Sequence, residues 1–128
     1  MLNDNWQLRH HDTIPIAPQA KQRPRTVRRR NGKIDTYTPD KTRDFEGAIA
    51  RWIAGAFTVR SKPIAAYREP VKLEVLCVFA RPQSLCRRKV PDGYLWRVCT
   101  PDASNVLKAV EDGIEKAKYI VEDDAQFV

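Results

Sequence analysis

Asp102, Lys108 and the run Glu122, Asp123 and Asp124 stand near the end of this 128-residue chain. Carboxylates gathered in one place repel one another, so ionising all of them costs energy unless a cation is bound. Mg²⁺ suits such a place, because it takes oxygen ligands, keeps several waters and commonly uses one or two carboxylates plus a substrate phosphate. Lys108 adds a positive charge that offsets charge on a phosphate in flight. Together these residue types make up the composition of a metal-assisted phosphodiesterase. Ordinary structural roles explain the same residues. Asp102 opens its helix as Asp40 opens another, Lys108 pairs with Asp112 at i, i+4, and residues 122–124 form a polar turn. On the residues alone the structural roles outweigh catalysis, and both accounts stay open.

Placing those residues together makes demands on the fold. Thr100-Pro101-Asp102 reads as a helix start, and Val106, Leu107, Val110, Ile114 and Ala117 give the helix a buried stripe, which Gly113 weakens by ~1 kcal/mol relative to Ala. A helix of roughly fifteen residues spans ~22 Å, so Asp102 and Asp124 meet only if the chain doubles back after residue 118. Residues 119–121, apolar and able to pair with a sheet, would do that. An earlier helix begins at Thr38-Pro39-Asp40, with Thr38 as cap and Pro39 as first helical residue. Phe45, Ala48, Ile49, Trp52, Ile53 and Ala56 follow on its core face. Strands are expected at 13–17, 34–38 and 94–99, and at 71–80, whose second half is apolar on both faces as in a covered central strand. Asn31-Gly32 marks a tight turn before 34–38. Residues 81–93 read as a polar, basic loop. Residues 1–12 read as a loose leader and 13–128 as one domain. Strands alternating with helices give a mixed α/β class: a single small domain, a mixed sheet and two main helices.

Composition narrows the partners. Lys and Arg number 23 against 16 Asp and Glu, a formal charge of +7, and 42% of residues are apolar, which is enough for a core and excludes wholesale disorder, collagen and coiled coil. No apolar run has the length of a membrane helix, and the amino terminus has no signal-peptide core. Cys77, Cys86 and Cys99 lack Cys-x-x-Cys spacing, so zinc is not expected even though His10 and His11 could nominally join Cys86 and Cys99, and a reducing cytoplasm fits. From 21 to 33 there are seven positive residues and no acid: Lys21, Arg23, Arg25, Arg28, Arg29, Arg30 and Lys33. Arg81, Arg87, Arg88 and Lys89 form a second cluster. Basic segments ahead of an acidic end point to a polyanion partner and a cation near the carboxylates.

The stretch Thr100-Pro101-Asp102-Ala103-Ser104-Asn105-Val106-Leu107-Lys108-Ala109-Val110-Glu111-Asp112 resembles the signature of the RusA family of Holliday-junction resolvases, Asp-x-Asp-Asn-x-x-Lys. The family's later Asp-Asp-x-Gln is matched by Asp123-Asp124-Ala125-Gln126. Pro18-Gln19-Ala20-Lys21-Gln22-Arg23-Pro24-Arg25, followed by Tyr37-Thr38-Pro39, resembles the amino-terminal motif of phage-type members, so the likeness runs from about Ile14 to Val128. It implies a small, homodimeric, Mg²⁺-dependent endonuclease, with Mn²⁺ as a substitute, that resolves four-way DNA by paired symmetric cuts in recombination and repair. By the resemblance, Asp102, Lys108 and Asp124 are catalytic, and Asp102, Asp124, Ser104 and Asp123 surround the metal. Asn105 matches the motif Asn, and it joins Lys21–Lys33, Arg87 and Arg88 as the expected DNA-contacting set. Two departures stand out. Ser104 replaces the middle Asp of the signature, and the sequence stops at Val128, where family members continue into another strand, as in a truncated prophage copy.

Two non-enzymatic alternatives accompany that expectation. A catalytically impaired module of the same fold would bind branched DNA, with steep salt dependence, and cut nothing. An RNA-binding protein is the more distant alternative, because basic charge does not distinguish the two polymers, and Trp6, Trp52 and Trp96 form no evident stacking platform.

Overall fold

The computed structural model of the chain describes residues 6–59, 62–63, 66–89, 93–96 and 101–128. Two helices hold its centre: α1 at Asp40–Ala56 and α2 at Ala103–Ala117. The α1 stripe does what its spacing predicts, for Phe45, Ile49 and Ile53 are buried along one face. From α2 come Ala109 and Ile114, and Phe57 and Val121 close the cluster, with Val106 also buried in the first turns of α2. Burying each large apolar side chain here contributes about 1.5–3 kcal/mol. Gly113 explains itself in this packing. A Cβ on it would lie 2.9 Å from the Cβ of Ile49 and 3.2 Å from the Glu46 carbonyl oxygen, so the missing side chain lets α2 approach α1.

Several details depart from the sequence expectation. Thr38 does not cap α1: Pro39 is the capping position, with no side-chain cap bond, and the helix begins at Asp40. Trp52 is 39% exposed, because its indole N–H turns outward to donate to Asp12 at 2.6 Å. Leu107 likewise lies on the exposed side of α2, while Gly113 and Ala109 occupy the contact with α1. Residues 13–17 form no strand, although Ile14 and Ile16 still pack on the core.

The sheet structure is sparse. β1 (Arg25–Arg28) and β2 (Ile34–Tyr37) form an antiparallel hairpin pairing Arg25 with Tyr37 and Arg28 with Ile34. Its turn places Gly32 at φ +83°, a backbone region that Gly enters freely, as the Asn-Gly pair predicts. β3 (Thr58–Val59) and β4 (Lys62–Pro63) make a second, two-residue pairing. Among the described residues, the expected strand at 71–80 forms a parallel bridge from Val71 to Phe127. Its backbone keeps the alternation, with Leu73, Cys77 and Phe79 half-buried, but Leu76 and Val78 are 85% and 53% exposed. A two-faced apolar segment becomes a covered central strand only where ladders flank it, and none does so among the described residues. A short 3₁₀ turn, Gln83–Leu85, interrupts the basic loop. Residues 94–96 form no strand, and 97–99 lie outside the described residues.

The predicted reversal after α2 is present. Lys118 ends the helix in the left-handed conformation at φ 58°, a position that usually goes to Gly or Asn. Its ammonium offsets that cost by donating to the Glu122 carbonyl at 2.6 Å and to Glu115 at 3.2 Å. The chain then runs parallel to residues 67–71: Tyr67 N–H donates to the Ile120 carbonyl at 2.9 Å, and Val71 N–H to the Gln126 carbonyl at 2.8 Å. The result is a small α/β unit whose last turn, the 3₁₀ segment Asp124–Gln126, returns to the flank of α2.

Candidate active site

Along α2, Lys108, Glu111, Asp112 and Glu115 recur at spacings of three and four, so they share a face. The Lys108 ammonium lies 3.4 Å from Asp112 Oδ1 and 4.0 Å from Glu111 Oε2. The chain reversal adds Asp124, whose Oδ2 accepts from Lys108 Nζ at 2.6 Å. From the opposite end of the sequence, Lys21 donates to the other oxygen of Asp112, Oδ2. Its backbone N–H is fixed on the Asn105 carbonyl at 3.0 Å, and the next amide, of Gln22, donates to the fully buried Thr42 hydroxyl at 3.0 Å. Lys21, Asp112, Lys108 and Asp124 therefore form an alternating chain of charge drawn from three segments.

The charges perturb one another accordingly. Asp124 is held below the usual carboxylate range, first by the hydrogen bond from Lys108 and then by that ammonium's charge. Lys108 is raised above the ordinary lysine value, chiefly by the bond to Asp124, which together with the charge and bond of Asp112 outweighs the opposing desolvation. Glu46 of α1, facing this edge, is pushed up by burial and then by the Asp112 charge, against Lys21 and Lys116.

Asp123 and Gln126 hold Asp124 in place. Asp123 caps the 3₁₀ turn by accepting from Ala125 N–H at 2.8 Å. The Gln126 amide uses both ends. Its oxygen accepts from Glu122 N–H at 2.7 Å and Asp123 N–H at 3.1 Å. Its nitrogen donates to the Tyr67 carbonyl at 2.7 Å and the Glu69 carbonyl at 3.2 Å. The spacing Asp-Asp-x-Gln is thereby given a mechanical meaning: the glutamine pins the acidic turn to the neighbouring segment 67–69.

Carboxylate oxygens of Asp112, Glu115 and Asp124 lie within 4.8 Å of one another. An all-oxygen, partly buried set of this kind fits a hard divalent cation such as Mg²⁺ or Mn²⁺ better than zinc. Of the residues expected from the sequence, Lys108 and Asp124 are in direct contact. Asp102 is elsewhere. It is the exposed residue before α2, its carbonyl accepts from Asn105 and Val106 N–H at 3.1 and 3.2 Å, and its side chain makes no cap bond. Six residues of helix set it about 9 Å along the axis from Lys108. Ser104 and Asn105 are exposed in the same first turn. Sequence reasoning overlooked Glu115 and the pairing of Lys21. The i+7 step from Lys108 signals the first, while nothing local signals the second.

Arg25 and Arg28 project from the exposed hairpin, with Arg23 before it and Arg29, Arg30 and Lys33 at its turn. Arg29 is paired with Asp35 across the hairpin. Arg87 and Arg88 are exposed beyond the 3₁₀ turn. Two basic segments and an acid–lysine cluster thus share a small α/β frame, the assembly expected of a nucleic-acid-processing domain.

Comparison with known proteins fixes the family. The chain belongs to the RusA endodeoxyribonuclease family, whose sequence profile, described as "Endodeoxyribonuclease RusA", matches residues 15–128. That family resolves Holliday junctions, binds branched DNA and is in general dependent on a divalent metal. The chain is also similar to a Bacillus subtilis (strain 168) protein, "Uncharacterized protein YqaN", at 28% identity over 121 residues, covering 91% of this chain and 80% of that one. No solved structure matches. Among the described residues, no helix is long and apolar enough to cross a membrane.

Proposed function

We propose that this chain is a structure-selective endodeoxyribonuclease that resolves four-way DNA by paired, symmetric, Mg²⁺-dependent cuts. The observation that carries the reading is the Lys108–Asp124 bond beside Asp112 and Glu115. Helix and returning turn hold a cation and several carboxylates at one point, in the family whose reaction needs both.

In this reading Asp124 would hold the divalent ion, with Asp112 and Glu115 beside it and Asp123 next to it in the turn. Asp102 and Ser104, which the motif assigns to the ion, stand at the entrance of α2 and would act on it through water. The bound ion would polarise the scissile phosphate and activate water. Lys108, its charge reinforced by the acids around it, transfers its attraction from Asp124 to a phosphate oxygen as substrate enters. Asp124, like any ordinary aspartate, is ionised at neutral pH, and the Lys108 bond extends that ionisation to lower pH. Gln126 and Asp123 keep the acidic turn from swinging away. Arg23, Arg25, Arg28, Arg30, Lys33, Arg87 and Arg88 supply charge for the DNA backbone, and Asn105 faces the same end of α2. A homodimer would present two such sites to a substrate of near-twofold symmetry. The working place is the cytoplasm, where DNA is met, and a prophage origin suits the phage-type amino-terminal motif.

One observation favours a binding-only module: Asp102 lies outside the three-carboxylate group, and Ser104, at the middle Asp of the motif, supplies no anion. Titration calorimetry separates the two. The nuclease reading expects Mg²⁺ or Mn²⁺ uptake that disappears in Asp124→Asn and weakens in Asp102→Asn, and that tightens in Ser104→Asp. Heats indistinguishable from buffer for the wild-type chain would leave only the binding module.

A further inference from the structure

We propose that Lys21 is a positioning residue of the acid cluster and not a contact to the DNA backbone, an inference that rests on the nuclease reading above. It lies in the most basic segment of the sequence, yet it differs from its neighbours there. Arg23, Arg25 and Arg28 are exposed, whereas Lys21 is half-buried. Backbone bonds anchor it on both sides: its own N–H to the Asn105 carbonyl in the first turn of α2, and the Gln22 N–H to the buried Thr42 hydroxyl of α1. Its ammonium is thereby delivered to Asp112 Oδ2, while Asp112 Oδ1 faces Lys108 at 3.4 Å.

The consequence follows from charge. Asp112 and Asp124 compete for Lys108, and Asp112 has the advantage of the i, i+4 position on the same helix. Lys21 neutralises Asp112 from the far side, which leaves the shorter bond of Lys108 to Asp124 at 2.6 Å. Without Lys21, Asp112 draws Lys108 along the helix and away from Asp124, the acid it must leave for a phosphate. Lys21 also lowers the charge that raises Glu46, so the edge between α1 and α2 depends on it from both helices.

The test uses the full chain with Lys21→Met and Lys21→Arg, a labelled four-way junction, and two readouts. Single-turnover cutting of bound junction should fall about ten- to a hundredfold in Lys21→Met, the scale of a misplaced catalytic group, and should recover in Lys21→Arg, which keeps the charge. The slope of log affinity against log salt should not change, whereas loss of a phosphate contact lowers it by about 0.9. A slope lowered by about one, with the cutting rate of bound junction intact, overturns the proposal. A wild-type chain that binds junctions and cuts none defeats the nuclease reading, and the slope then decides Lys21 separately. Should the chain bind no DNA, a denaturation cycle of Lys21→Met, Asp112→Asn and the double variant decides it: coupled midpoints support the pairing, and additive ones overturn it.

Discussion

Replacing Gly113 by Ala sets helix propensity against packing, and the structure says which wins. In an isolated helix the change stabilises by about 1 kcal/mol. Here the added Cβ would sit 2.9 Å from Ile49 Cβ, 3.0 Å from its Cγ2 and 3.2 Å from the Glu46 carbonyl oxygen, where carbon pairs prefer about 3.5–4.0 Å. None of these atoms can swing aside. One belongs to backbone, and the others to the stem of a buried β-branched side chain with a single favoured rotamer. Relief therefore requires α1 and α2 to part, and overpacking of this kind costs about 1–3 kcal/mol. A net loss of up to about 2 kcal/mol remains, lowering the thermal midpoint by up to about 10 °C for a domain of this size. Gly55→Ala is the control, because nothing lies within 4 Å of its added Cβ. It should stabilise by up to about 1 kcal/mol. Paired melts followed by circular dichroism provide the assay. A midpoint for Gly113→Ala raised above the wild type as far as that of Gly55→Ala would refute the close helix contact.

Other outcomes follow from the same geometry. Gln126→Leu strips the amide that joins Glu122, Asp123, Tyr67 and Glu69, and at about 0.5–1.5 kcal/mol for each of the four bonds it should lower denaturant stability by about 2–6 kcal/mol; a loss under about 0.5 kcal/mol would show that the turn holds without it. Asp124 has a depressed affinity for protons in the folded state, so its contribution is complete above the usual 3.8 of an aspartate and is lost as pH falls through its lower folded value. Acid unfolding should accordingly flatten in Asp124→Asn, and identical acid profiles would contradict the Lys108 bond. Lys108 has the opposite sign: its contribution is complete below the usual 10.5 and is lost only as pH rises through a higher folded value, which alkaline melts of Lys108→Met should reveal as a missing alkaline loss. Arg28→Gln and Arg30→Gln should each lower the salt slope of junction binding by about 0.9, with Arg29→Gln smaller because Asp35 already engages it; three unchanged slopes would remove the hairpin from the DNA path.

The helices were legible because an amphipathic helix announces itself within a few turns of sequence. Phe45, Ile49 and Ile53 needed no knowledge of their partners to be recognised as one face. Strands are different, since their backbone must be satisfied by a neighbour that the local sequence does not name. Residues 71–80 carry a clear alternation, yet the ladder found for them is a bridge from Val71 to Phe127. Gly113 looked like a weakness within its helix and is a point of contact between two. At the site, the chain reversal that returns Asp124 to α2 was readable, but the motif spacing pointed it to Asp102, and the bond it makes is to Lys108. Lys21 and Asp112 could not be paired, because 91 positions separate them and a lysine among arginines looks like one more charge for DNA. Asp102 shows the converse: its motif position is distinct in the sequence, while the fold sets it at the helix entrance, apart from the three carboxylates.

The central claim is metal-dependent cutting of branched DNA by the Lys108–Asp124 site. Its most direct test is cleavage of an end-labelled synthetic four-way junction by the 128-residue chain in Mg²⁺, Mn²⁺ or EDTA, beside the Asp124→Asn variant. Paired cuts on opposing strands that need the metal and vanish in the variant, with junction binding retained, are the predicted result. Tight binding with no cut under any metal, or cutting that Asp124→Asn leaves intact, would contradict it.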